Sequence, residues 1–201
     1  MTNTLSGKVV ALIGMGSEAE RALVVACAEA GADIALGTQD KTQQQEFAMN
    51  SIANEIWAIG RDNFVRVMES AEATAIASFA DEVWDRFGRC DLLIVCHEQR
   101  TSAPLEELSA DEWELALRAN LTAPFLAAQA FARLMARQGA GRIVVVAGSH
   151  EDDDASYRAA RAGLREAVIQ MDNHWRGEGV TLSTHGAVPL AAEDAVLILN
   201  A

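Results

Sequence analysis

The sequence predicts one α/β domain over residues 1–201: a three-layer, doubly wound fold with a parallel sheet of six or seven strands. Three observations predict it. Short apolar runs alternate with amphipathic helical stretches along the chain, an order that right-handed crossovers convert into a parallel sheet. The apolar runs are continuous rather than alternating, as strands buried on both faces require. No repeat or linker breaks the pattern, and 50% of the 201 residues are hydrophobic, which supports a real core and excludes a disordered chain.

Each element has its own signal. Residues 8–14, Lys-Val-Val-Ala-Leu-Ile-Gly, read as a buried strand closed by glycine. Residues 19–30 form a helix with Ala22, Leu23, Ala26, Cys27 and Ala30 on one stripe, ended by Gly31. Residues 34–36 are a second strand, and 41–59 carry Phe47, Ile52 and Ile56 at helical spacing. Residues 64–68 are a third strand; residues 72–87 are a helix burying Ile76, Phe79, Ala80, Val83 and Phe87. Residues 91–96 are the fourth strand. Ser109 and Glu112 have capping-box spacing, so a long helix starts there and runs to about Arg137 with a kink at Pro124. A fifth strand (141–146), a helix (155–175) and a sixth strand (180–184) follow. The tail, 190–201, reads as helix, with an edge strand at 196–199 as the alternative.

Charge narrows the function. With 16 Lys plus Arg against 29 Asp plus Glu, the net charge is −13. Such a surface repels phosphate backbones and anionic lipid, which argues against nucleic-acid and membrane partners. Cys27, Cys90 and Cys96 are odd in number and lack metal or redox spacing, as free thiols in a reducing compartment would. The apolar run 9–13 is too short for a signal-peptide core or a membrane span, so a cytoplasmic protein is expected.

The first strand runs into Gly14-Met15-Gly16-Ser17-Glu18-Ala19, a loose G-x-G-x-x-G/A fingerprint between strand and helix. Leu5-Ser6-Gly7-Lys8-Val9, Ala28 to Asp33, Phe87 to Asp91, Trp113 to Asn120, Gly141 to Val144, Tyr157 to Leu164 and Gly179-Val180 then follow in order. With these segments the chain resembles the short-chain dehydrogenase/reductase family, NAD(P)-dependent oxidoreductases with a Rossmann-type fold. The resemblance implies cofactor contacts at Gly14, Gly16 and Thr38. It implies Tyr157 as proton donor or acceptor and Asn120 in the proton relay. Arg161 takes the position of the family's lysine, and Ser149 lies one residue past its serine.

Other positions depart from the pattern. The family's threonine and its last two loop glycines are Ile13, Glu18 and Glu20 here; either acid could fold back and fill the anion site. The residue expected to face adenine is Met68. His97 and Glu98 replace small residues at the end of the fourth strand, and Gly186-Ala187 replaces a Pro-Gly pair. Arginine does not substitute freely for an ammonium. The resulting expectation is a degenerate member with weak or absent NAD(P) binding. It would act as a homo-dimer, or as a hetero-oligomer with a related subunit, joined through the helices at 110–137 and 155–175. One alternative is an active NAD(P)H-dependent oxidoreductase with Tyr157, Arg161, Asn120 and Ser149 in the catalytic roles. Another is metal binding through His97, His150 and His185, each placed after a predicted strand.

Overall fold

The computed structural model describes residues 4–39, 42–68, 73–96, 99–100, 104–148 and 154–186. Among them the order is β1 (Val9–Ile13), α1 (Glu18–Glu29), β2 (Asp33–Thr38), α2 (Gln43–Ile59), β3 (Asn63–Val67), α3 (Ala73–Phe87) and β4 (Leu92–Val95). Then come α4 (Ala110–Leu117), α5 (Ala123–Gln138), β5 (Gly141–Val146), α6 (Ala155–Trp175) and β6 (Val180–His185). The tail, 187–201, lies outside the described residues, so its assignment as helix or strand is not addressed.

All five strand pairings are parallel, in the order β3-β2-β1-β4-β5-β6. The doubly wound Rossmann-type sheet predicted from the sequence is thus present with six strands. The order reverses between β1 and β4, where neighbouring crossovers leave in opposite directions and open a crevice at the carboxyl ends of the strands. Side chains alternate across the sheet. Val9, Ala11, Ile13, Leu93, Val95, Ile143 and Val145 pack with α3, α5 and α6. Val10, Leu12, Ile34, Leu36, Ile94 and Val144 face the other way, with α1 and α2.

Two elements differ from their sequence reading. β6 is buried on one face only: Val180 and Leu182 are buried, while Thr181 is half-buried and Ser183 exposed. Its sequence alternates, unlike the continuous apolar runs of β1 and β4. The long helix is not simply kinked at Pro124. Residues Arg118–Thr122 form a π-helical turn, with the Ala123 N–H bonded to the Arg118 carbonyl, and Pro124 sits in the first turn of α5. The helix is continuous through this point, with Thr122 and Ala123 both helical, so the missing Pro124 N–H falls where the π-helical turn has already interrupted the regular bonding.

Candidate functional site

The crevice is built from the ends of β1, β2, β4 and β5. At β1, Ser17 caps α1 and Glu20 is the third helical residue, so the two form a capping box. Glu20 reaches further than a cap needs. Its carboxylate accepts from the Ser17 N–H at 2.8 Å and from the Met15 N–H at 3.0 Å. A Cβ at Gly14 would lie 2.7 Å from a Glu20 oxygen, so only glycine tolerates the acid there. Glu20 is 7% exposed, whereas Glu18 points outward. Of the two acids expected at this helix start, Glu20 is the one that folds back onto the loop. Burial pushes its carboxyl above the ordinary carboxylate range, against the pull of the Ser17, Met15 and Gly16 amides.

α2 closes the loop from the other side. Gly16 has φ 73°, and a Cβ there would meet the Ala48 Cβ at 3.0 Å. Arg21 of α1 binds Glu55 of α2 through Nε at 2.8 Å and holds the two helices together. At the end of β2, Thr38 is fully buried, and its carbonyl accepts the Met68 N–H at 2.7 Å. Met68 is itself buried in the core beside Phe79.

The residues expected to carry chemistry are brought together at β4 and β5. Asn120 lies in the π-helical turn with no exposure. Its Nδ2 donates to the Gln99 carbonyl at 2.7 Å and to the Ala116 carbonyl at 3.1 Å, and its Oδ1 accepts the Gln99 N–H at 2.8 Å. Asn120 therefore clamps both backbone groups of Gln99, just past β4. Tyr157 and Arg161 are one turn apart on α6, and each is 1% exposed. The Tyr157 hydroxyl is 3.4 Å from the Gly148 carbonyl. The Arg161 guanidinium donates to the Val146 carbonyl at 3.0 Å and lies 5.1 Å from the Tyr157 ring centroid. Arg100 faces the same ring at 5.0 Å, so two cations flank Tyr157.

Ser149, His97, Glu98 and His150 lie outside the described residues. His185 belongs to β6 itself rather than following it. Among the described residues no group of three metal-ligating side chains comes together. Sequence reasoning missed Gln99 and Arg100, and also Arg165, which donates to the Ala147 carbonyl at 2.7 Å. Arg100 stands five positions past β4, and no local pattern marks it.

A family model described as short chain dehydrogenase matches residues 8–189. The chain belongs to the short-chain dehydrogenase family. It is 29% identical over 187 residues to a D-threitol dehydrogenase of Mycolicibacterium smegmatis, covering 90% of this chain and 69% of the relative. A metagenomic short-chain oxidoreductase solved in complex with NADP is 25% identical, with TM-score 0.80, covering 98% of this chain and 90% of that one. A short-chain type dehydrogenase/reductase from Mycobacterium marinum has the same fold, with TM-score 0.84 at 20% identity over 97% of this chain and 87% of that one. Tyr157 and Asn120, the residues expected from the sequence to match the family's pattern, lie past the ends of β5 and β4, against Gly148 and Gln99. No helix among the described residues is long and apolar enough to cross a membrane.

Proposed function

We propose that this short-chain dehydrogenase family member is a non-catalytic subunit with weak or absent NAD(P) binding, working as a dimer or beside a related subunit. One observation carries the reading. The Tyr157 side chain is 1% exposed, its hydroxyl is 3.4 Å from the Gly148 carbonyl, and the Arg100 and Arg161 guanidinium groups lie 5.0 and 5.1 Å from its ring centroid. A proton donor must come within hydrogen-bond reach of a substrate oxygen, and burial of the hydroxyl this deep, with the Gly148 carbonyl 3.4 Å away, supports the non-catalytic reading.

The cofactor side supports the same reading. A dinucleotide's diphosphate needs the loop amides that Glu20 already engages, and it would meet a negative charge there. Met68 and Thr38 are packed together at the end of β2. The residues at this loop therefore fit the group poorly.

A groove of about 670 Å³ between α5 and α6 supports the assembly reading, with Phe125, Met171 and Trp175 in its lining and Ile169 of α6 exposed. Its apolar residues suit a second helix pair better than water.

The retained Asn120 and Tyr157, together with relatives named as dehydrogenases, favour a second reading, an active NAD(P)H-dependent oxidoreductase. Titration of the whole protein with NADH and NADPH, followed by fluorescence and calorimetry, separates the two. No binding at millimolar cofactor is expected; micromolar affinity would sink the non-catalytic reading. Light scattering after size exclusion tests assembly. A dimer is expected, with Ile169→Glu shifting it to monomer, and a wild-type monomer at high concentration would remove the dimer from the proposal.

A further inference from the structure

α2 turns one face to the core and leaves the opposite face uncovered. Met49, Ile52 and Ile56 are buried in the core that α2 shares with α1 and the sheet. Turned to solvent are Phe47, 77% exposed, and Trp57, 75% exposed, the two most exposed large hydrophobic side chains among the described residues. Single exposed apolar side chains are ordinary. These two share a face. With 3.6 residues per turn they lie about 80° apart round the helix, and Asn50 and Asn54, both exposed, fall between them.

The spacing on this face is self-complementary. Phe47 and Trp57 stand five positions before and after Ile52, and Asn50 and Asn54 two positions before and after it. A second copy of α2 laid antiparallel across the face, on a twofold axis at the level of Ile52, brings Phe47 to the level of Trp57 in the other copy, and Asn50 to the level of Asn54. Charge points to the same occupant. The chain carries −13, so most approaches of one copy to another meet like charge. In this sector Gln43, Phe47, Asn50, Asn54 and Trp57 carry none. A strongly acidic or basic partner would gain nothing there, whereas the face meets its own copy without repulsion. The area suits a weak contact. An aromatic side chain buries about 150–250 Å², so four rings that are three-quarters exposed bring roughly 450–750 Å². Specific contacts begin at about 1,200 Å², and the remainder has to come from the polar positions along this 17-residue helix.

We propose that the outer face of α2 is a self-association surface, pairing antiparallel with α2 of a second copy through Phe47 and Trp57. α1 and α2 cover one face of the sheet, and α3, α5 and α6 cover the other. The contact through α2 therefore does not compete with one through the groove between α5 and α6. Copies joined at the groove still offer α2 to further copies, so larger assemblies form as concentration rises. The contact at α2 is independent of cofactor binding.

The test uses the full chain, as wild type and with Ile169→Glu, which removes the groove and isolates α2. Sedimentation over a concentration series reads the assembly. The Ile169→Glu protein is expected to dimerise at high micromolar concentration. Tryptophan emission should shift to shorter wavelength as it does so, and the shift should be absent with Trp57→Phe. Trp57→Glu and Phe47→Glu, both at exposed positions, should each weaken the association by roughly tenfold or more. Oxidation of a mixture of Asn50→Cys and Asn54→Cys proteins should link copies in higher yield than oxidation of either protein alone. An Ile169→Glu protein that stays monomeric at every concentration overturns the proposal; if wild type still dimerises, the groove alone joins the copies. Association indifferent to both glutamate substitutions overturns it too, and a mixture that links no better than its components rejects the antiparallel pairing.

Discussion

Two carboxylates at opposite ends of the sheet are buried to the same extent and behave in opposite ways. Asp91, before β4, and Glu20, after β1, are each 7% exposed. Burial raises both, yet at Asp91 it is outweighed: Arg89, the Val9 amide and Lys8 together hold the carboxyl below its ordinary value. The contacts are close, with Arg89 Nε at 2.8 Å, Lys8 Nζ at 3.0 Å and the Val9 N–H at 3.0 Å. Glu20 has amide dipoles and a hydroxyl but no cation in its hydrogen-bond set, and burial wins. The difference teaches where this fold builds and where it binds. At the amino ends of the strands a charge is matched by charges. At the carboxyl ends the scaffold offers amides that suit an anion, and a side chain has taken the place.

The largest expected effect breaks the matched end. Asp91→Ala strips the Val9 N–H of its acceptor and separates two cations from their partner. Lys8 and Arg89 are each 41% exposed and water can recover them, so the loss is about 2–3 kcal/mol, read by urea denaturation at neutral pH. A loss below about 0.5 kcal/mol would mean that the cluster is decorative.

The pH dependence of stability comes next, and there the two acids have opposite signs. The carboxyl of Asp91 is depressed on folding. Its contribution is present above the unfolded value and is lost as pH falls through the folded one. Glu20 is raised on folding. Its contribution is full below the unfolded value and is lost as pH rises through the folded one. The deficit of Asp91→Asn relative to wild type should therefore widen as pH rises from about 3 to 5. Across pH 4.5 and above, Glu20→Gln should gain on wild type. Denaturation series at stepped pH give both slopes, and slopes of the same sign would refute the contrast.

Much of this was legible beforehand, and the rest fails for identifiable reasons. The capping box at Ser109 and Glu112 forms as its spacing predicts. Ser17 and Glu20 have the same spacing, so the choice between Glu18 and Glu20 was already in the sequence. Charge at a helix start attracted notice first, and it fits both acids. The one-sided burial of β6 was equally visible in Val180-Thr181-Leu182-Ser183. The π-helical turn was not, and neither was the contact it presents, Asn120 with Gln99, 21 positions away in the chain. A local pattern carries no record of such a contact. Arg100 was missed for the same reason: its role exists only once the end of β4 and α6 are side by side.

A smaller effect is expected at Tyr157. Its hydroxyl contact with Gly148 is long at 3.4 Å, so Tyr157→Phe should change stability by less than about 1 kcal/mol. The ring keeps its contact with the two guanidinium groups, whose attraction does not need the hydroxyl. Thermal melts of the variant check this. A loss above about 2 kcal/mol would show that the hydroxyl is held more firmly than its geometry implies.

The smallest effect is expected at the Arg21–Glu55 pair, and it asks whether the position of Glu20 is local or imposed. The two side chains are 37% and 38% exposed, and the pair joins α1 to α2. Solvent screens such a pair, so Glu55→Gln should cost less than about 1 kcal/mol and the loss should fade in molar salt. For a domain of this size that is roughly 2–4 °C in melting temperature. The informative readout is the pH profile beside it. The hydrogen bonds of Glu20 to this loop come from Met15 and Ser17. Loosening α2 should therefore leave the slope assigned to Glu20 unchanged. If that slope shrinks in Glu55→Gln, α2 is what buries the acid, and its position is imposed by the neighbouring helix rather than by its own loop.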